Sequence, residues 1–298
     1  MKCNICPREC GADRENGQFG VCGVDNNIYV ARVGLHMWEE PCISGNEGSG
    51  TVFFAGCSLG CIYCQNYKIS RGIRNYYSQE TLEKKKMSVN ELSDAFNLLQ
   101  SMGANNINLV TPTHYSIQII EAVRFARDKG LNIPIVYNCS GYEKVETLRL
   151  LSGIVDIYLT DFKYMNNELA NKYSHVSDYV EIAKAALEEM VRQQSACEFD
   201  SRGMMTKGVI VRNLLLPGNV NNSKEVAKYV YDTYGDSIYL SIMNQYTPLE
   251  ENDLASPLDR KVTKREYERL IEYVISLDAT NVFIQEGDVA SESFIPEF

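Results

Sequence analysis

The stretch Gly56-Cys57-Ser58-Leu59-Gly60-Cys61-Ile62-Tyr63-Cys64-Gln65-Asn66 sets three cysteines at Cys-x3-Cys-x2-Cys, with an aromatic immediately before the third. It follows Thr51-Val52-Phe53-Phe54-Ala55, a short apolar run of the kind that forms a buried strand. The cysteines therefore leave the end of a strand on a loop, where α/β proteins usually carry their sites. Three thiols on one short loop suit a metal centre. A structural zinc wants four ligands in a closed tetrahedron, and a cubane iron–sulfur cluster is commonly held by four cysteines. Three cysteines without a local fourth leave one iron open to a substrate or cofactor. A structural zinc loop or a ferredoxin-like site is the alternative.

Downstream of this loop, apolar β-branched runs alternate with segments of helical period. Strands are expected at 51–55, 106–111, 133–138, 154–161, 208–216 and 238–243, with 281–285 as a weaker candidate. Helices are expected at 88–103, 115–129, 143–152, 178–194, 222–234 and 263–278. Ser88-Val89-Asn90-Glu91 reads as a capping box. Repeated βα units imply a parallel sheet with right-handed crossovers. About six such units predict an α/β fold, a partial (β/α)6 TIM-like barrel, over residues 49–298. The strand ends, where such a barrel places its site, are polar: Thr111-Pro112-Thr113-His114, Asn138-Cys139-Ser140, Asp161-Phe162-Lys163, Arg212 and Asn244-Gln245-Tyr246.

Upstream, residues 1–48 read as a separate cysteine-rich metal-binding segment. Cys3, Cys6, Cys10 and Cys22 form a second set, spaced by glycine, asparagine and charge that build little apolar core. A metal is the natural staple for so short a segment. Four thiolates close either a zinc or an iron–sulfur cluster, and redox-active thiols are a third reading. Ile28-Tyr29-Val30-Ala31-Arg32-Val33 alternates like a strand, and His36, Glu39 and Glu40 follow it before Pro41. A structural, hydrogen-bonded role is expected for His36, and surface or helix-cap roles for His114 and His175. Cys42 and Cys197 read as ordinary small side chains.

The chain has 298 residues, ten cysteines and a formal net charge of −10. Cysteine abundance without a secretory signal core points to metal or redox chemistry in a cytoplasmic protein. The acidic balance argues against a nucleic-acid partner, and no apolar stretch is long enough to argue for a membrane span. Lys84-Lys85-Lys86 is expected to be a solvated loop face.

The cysteine spacing and Tyr63 resemble the signature of the radical S-adenosylmethionine (SAM) enzymes. Cys61-Ile62-Tyr63-Cys64-Gln65-Asn66 is similar to the branch related to pyruvate formate-lyase activating enzymes, and residues 3–66 resemble its members with an extra N-terminal cysteine motif. The resemblance implies that Cys57, Cys61 and Cys64 hold a [4Fe-4S] cluster to which SAM coordinates. SAM would be cleaved reductively to a 5′-deoxyadenosyl radical that abstracts hydrogen. The N-terminal set would hold a second [4Fe-4S] cluster or zinc. Cofactor contacts would then fall to Tyr63 against adenine, Lys163 and Arg212 on the carboxylate, Asp161 and Asn138 on ribose or a small cation, and Thr111, Thr113, Ser140 and Gln245 among the strand-end polar groups.

The family's Gly-Gly-Glu-like turn is replaced here by Thr111-Pro112-Thr113, its activase aspartate by Asn138, and its double proline by Pro41-Cys42, which would bring an extra thiol near the main cluster. The implied activity acts on a protein or peptide, a glycyl radical enzyme among them, with a flavodoxin or ferredoxin as reductant. Modification of another peptide or a small metabolite is the second reading. A non-catalytic iron–sulfur or zinc electron-transfer or binding protein is the third.

Overall fold

The computed structural model describes residues 2–70, 78–248 and 254–285. The strand-like alternation at residue 28 becomes β1 (Ile28–His36), whose partner is the strand that feeds the cysteine loop. Between the two lies a single helical turn, α1 (Pro41–Ser44), and then β2 (Ser49–Phe54) runs back antiparallel to β1, with Val33 opposite Val52. After the cysteine loop come α2 (Tyr67–Ser70), α3 (Gln79–Lys84), the short β3 (Lys86–Met87) and α4 (Val89–Ser101).

From there the βα alternation is regular. The next elements are β4 (Ile107–Val110), α5 (Ser116–Asp128), β5 (Ile135–Cys139), α6 (Val145–Leu150) and β6 (Ile157–Asp161). Then follow α7 (Asn167–Ser174), α8 (Tyr179–Gln193), a two-residue β7 (Glu198–Phe199) and β8 (Met205–Leu214). The described chain closes with α9 (Val220–Tyr234), β9 (Tyr239–Met243), α10 (Lys264–Ile275) and β10 (Val282–Ile284).

One sheet contains all ten strands in the order β10-β9-β8-β6-β5-β4-β2-β1-β3, with β7 on the flank of β8. The seven strands from β2 to β10 along this path are parallel, and β1 and β3 extend the sheet in antiparallel pairing. This is the expected partial barrel, six longer parallel strands plus a short seventh at the weaker candidate. The ends of the path, β3 and β10, are not paired to each other. Helix entries follow the sequence. Ser88 and Glu91 form the reciprocal capping box of α4, and Thr263 and Glu266 do the same for α10. The helix α7 has no counterpart in the sequence reading. It is short, and its start is marked only by Asn166, whose side chain accepts from the Glu168 and Leu169 amides.

Strand periodicity sorts the two faces. On β6, Tyr158 faces the large outer core, while Ile157 and Leu159 face inward with Val136, Ile210, Cys42 and Ile43. The turn α1 is thus folded into the barrel as a plug. Its carbonyls and the acid that precedes it need partners there, and three asparagines at the start of β4 supply them. The side-chain amide of Asn105 donates to Ser44 O (2.7 Å), that of Asn106 to Ile43 O (2.8 Å), and that of Asn108 to the Glu39 carboxylate (2.9 Å).

Cys42 is the ordinary small buried side chain expected, and not an extra thiol beside the cysteine loop in the cavity. Its thiol packs with Ile157, Leu159 and Ile210 beneath the cleft and does not line it, and burial pushes it up to about 12. The lysine run is corrected in part. Lys84 is exposed, but Lys85 donates to Ala31 O and Lys86 pairs with Tyr29 in the β1–β3 ladder, so both are half-buried.

Candidate functional site

A cavity of about 870 Å³ opens at the C-terminal ends of the parallel strands. The cysteine loop forms one wall, and Cys57, Tyr63, Cys61, Cys64 and Gln65 all line it. Gly56 makes the turn that starts this loop. Its φ is +92°, and a Cβ there would lie 2.8 Å from Cys22 O and 3.0 Å from the His114 ring. Two serines reach the thiols, Ser174 Oγ donating to Cys61 Sγ (2.9 Å) and Ser70 Oγ to Cys64 Sγ (3.2 Å). Tyr63 OH shares a hydrogen bond with Tyr164 OH (2.8 Å), which shares another with Ser174 Oγ (2.7 Å). A hydroxyl relay therefore runs from the motif aromatic to the middle cysteine. Desolvation raises the Cys57 thiol to about 12 and raises Cys64 as well.

Opposite the thiols lies a buried ionic network. Lys163 Nζ meets Asp161 Oδ2 at 2.6 Å, and Asp161 Oδ1 accepts from Arg212 Nε at 3.1 Å. The same guanidinium donates from Nη1 to Glu39 Oε2 (3.1 Å) and from Nη2 to Asn138 Oδ1 (2.5 Å). Glu39 Oε1 is held by Asn108. Burial alone would favour the neutral form of every member, but proximity reverses this for three of them. Asp161 is held below its ordinary range by Lys163 and Arg212, and both cations are held above theirs by Asp161. Burial wins at Glu39 and Glu40, which are both raised despite Arg212.

Most of the strand-end residues expected at the site meet here: Thr111, Asn138, Ser140, Asp161, Lys163, Arg212 and Gln245 line one cavity with the cysteines. Thr113 does not. It is buried one layer away, donating to the Glu143 carboxyl at 2.8 Å. Reading sequence alone also missed Glu39 and Glu40, which rise into the cavity from the turn before α1. The adjacent pair of acids before Pro41 was their only signal. Ser241, Gln285 and the lip residues Met37 and Trp38 were missed too.

His114 is corrected. It is fully buried, with Nε2 against Ala55 O (2.8 Å), and desolvation lowers it to about 3. His36 lines the cavity with its ring edge-on to Phe53, and His175 is the exposed left-handed cap of α7.

The N-terminal cysteines lie behind the cluster loop. Cys22 O accepts from Cys57 N (3.1 Å), so the two sets share a backbone hydrogen bond. A Cβ on Gly20 would sit 3.3 Å from Cys22 Sγ and 3.4 Å from Cys10 Sγ, which brings these two sulfurs to one point of the fold. Burial raises Cys6 to about 12, and the nearby Cys22 and Cys3 add to the rise. Arg8 clamps the segment in place through the carbonyls of Ser58, Leu59, Ser174 and His175, and Arg14 does so through those of Asp25 and His114.

Among the described residues, no three Cys, His, Asp or Glu side chains are already gathered on one point as a single-ion site would require. The donor chemistry instead fits a larger group. Three thiols on a short loop face a cavity wide enough for a cofactor.

Residues 51–198 match the family model described as the radical SAM superfamily. The chain therefore carries a radical SAM domain. This radical SAM protein is 29% identical over 273 residues, 91% of its own length and 73% of the other's, to the uncharacterized protein MJ0674 of Methanocaldococcus jannaschii. Its fold is similar to that of methylornithine synthase (PylB), with a TM-score of 0.50 and 14% identity over 76% of this chain and 68% of that one. It is equally similar to Streptococcus suis SuiB bound to the precursor peptide SuiA, with a TM-score of 0.50 and 12% identity, 78% of this chain being covered. The match spans 47% of SuiB, about half its length. A domain of this family implies an enzyme that uses a [4Fe-4S] cluster and SAM. Among the described residues, no helix is long and apolar enough to cross a membrane.

Proposed function

We propose that this radical SAM enzyme reductively cleaves SAM and abstracts hydrogen from a protein or peptide, a glycyl radical enzyme being the leading candidate. The observation that carries the reading is that Cys57, Cys61 and Cys64 share one cavity with the Asp161–Lys163–Arg212 network. When bound, the cluster and SAM supply a one-electron reduction that breaks a sulfur–carbon bond and yields a carbon radical. The chain's own residues bind and orient. The three cysteines hold the cluster. Lys163 and Arg212 would meet the cofactor carboxylate, Asp161 and Asn138 its ribose or a small cation, and Tyr63 its adenine, with Thr111, Ser140 and Gln245 as further polar groups of the cavity wall.

Cys3, Cys6, Cys10 and Cys22, within a segment bounded near residue 48, hold a second centre, an iron–sulfur cluster or zinc. A flavodoxin or ferredoxin is the reductant, and the net charge of −10 favours a partner other than nucleic acid. The peptide reading gains support from SuiB, whose structure carries its precursor peptide.

The test is anaerobic reconstitution with iron and sulfide, followed by mass-spectrometric measurement of 5′-deoxyadenosine. The native chain forms it under reduction. The variant Cys57→Ala/Cys61→Ala/Cys64→Ala forms none, and persistent production in it would refute the assignment.

A further inference from the structure

Among the charged groups described in the cavity, Glu40 keeps a buried oxygen without a partner. It is 7% exposed and lines the cavity; Ser241 is a hydrogen-bonding neighbour of its carboxyl, but its Oε2 has no hydrogen-bond partner among the described residues. A buried polar atom without a partner is uncommon in a native fold and asks for an explanation. Arg212 is a charge neighbour, but its hydrogen bonds go to Asp161, Glu39 and Asn138, and none reaches Glu40 Oε2. The balance of charge agrees. Among the described residues lining the cavity, three carboxyls, Glu39, Glu40 and Asp161, face two cations, Lys163 and Arg212, and Glu40 is the carboxyl without an ion pair.

We propose that Glu40 binds a cationic nitrogen group of the substrate, an ammonium or guanidinium, brought into the cavity under the lip formed by Met37 and Trp38. This rests on the reading of the cavity as the catalytic site and goes on to name what the substrate carries. A desolvated acid with a free oxygen gives such a cation both the counter-charge and the hydrogen bond that burial demands. The lip suits the rest of the side chain. Trp38 is 64% exposed and Met37 42% exposed, and both stand at the cavity mouth. An indole face and a thioether receive the methylenes of a lysine or arginine while its head reaches inward. Glu40 is adjacent in sequence to this lip, so one loop carries both the apolar rim and the acid.

Trp38 is the only tryptophan in the chain, which makes its emission a reporter of the mouth. Reconstituted protein with saturating SAM is titrated anaerobically with N-acetyl-arginine amide and N-acetyl-lysine amide. The neutral comparators are N-acetyl-citrulline amide and N-acetyl-norleucine amide. At least one cation binds about tenfold more tightly than its neutral counterpart, the size of effect expected for a charge-assisted hydrogen bond. Glu40→Gln erases that preference, and Glu121→Gln on the exposed face of α5 keeps it.

Equal affinity for cation and neutral counterpart in the native chain overturns the proposal without reference to any variant. So does a preference that survives in Glu40→Gln, or one that appears only when SAM is left out, which would assign Glu40 to the cofactor. Production of 5′-deoxyadenosine is followed separately, so loss of the radical chemistry and loss of cation binding are distinguishable.

Discussion

Replacing Arg212 by alanine removes three hydrogen bonds at once, to Asp161 (3.1 Å), Glu39 (3.1 Å) and Asn138 (2.5 Å). The two acids fare differently. Asp161 keeps Lys163 at 2.6 Å, but Glu39 is left buried with only asparagine amides. Removing one partner from a buried ion pair costs about 3–5 kcal/mol, much of it from the stranded charge. A fold of this class has about 5–15 kcal/mol in hand, so the variant still folds in the cold. With a urea slope of roughly 2–3 kcal/mol/M, the circular-dichroism midpoint falls by roughly 1–2.5 M. If the stranded, buried Glu39 carboxyl is the main cost, adding Glu39→Gln to Arg212→Ala recovers about 1–3 kcal/mol, because the glutamine can still accept from Asn108. A loss below about 1 kcal/mol at unchanged slope, or a double variant weaker than Arg212→Ala alone, would refute this account of the network.

Gly56→Ala would force a side chain onto a residue at φ +92° and within 2.8 Å of Cys22 O, so the cysteine loop and the N-terminal segment separate. Thermal melts should show a loss of about 3 kcal/mol or more, with lower iron retention after desalting. Ser174→Ala removes the hydroxyl that donates to Cys61 Sγ, and the bound cluster's midpoint potential should move negative in an anaerobic redox titration, because the more negative reduced state loses a donor. Glu143 is held protonated up to about 8 by burial, whereas the unfolded carboxyl ionises near 4.5. Its contribution to stability is therefore complete below about 4.5 and is lost as pH rises to 8, and Glu143→Gln should flatten the pH dependence of the urea midpoint across that window.

Parallel strands buried on both faces made much of this molecule readable. Their apolar runs show in the sequence, and the residue ending each run must lie at the barrel's C-terminal rim. Asp161, Lys163 and Arg212 were found in that way. Thr113 shows the limit of the rule. One residue past the rim, the chain enters a helical turn, and its hydroxyl turns away to Glu143. His114 was misread for a tertiary reason. Its burial depends on residues a hundred positions earlier, where Arg14 covers its carbonyl at 2.7 Å. Helix α7 lacked both length and a strong start signal.

Glu39 and Glu40 escaped for a deeper reason. They precede the first parallel strand, and neither periodicity nor strand-end logic reaches them. They enter the cavity only because α1 turns inward, and α1 turns inward because Asn105, Asn106 and Asn108 satisfy the carbonyls and the acid of that turn. Those asparagines are themselves odd in a strand start, since short polar amides are poor β formers. The misfit residues of one segment thus locate the functional residues of another. A run such as Asn105-Asn106-Ile107-Asn108 at the mouth of a parallel strand is physical evidence that a polar segment is folded into the barrel against it. The acids that lead directly into that turned-in segment, here Glu39 and Glu40, are the ones it can deliver to the cavity.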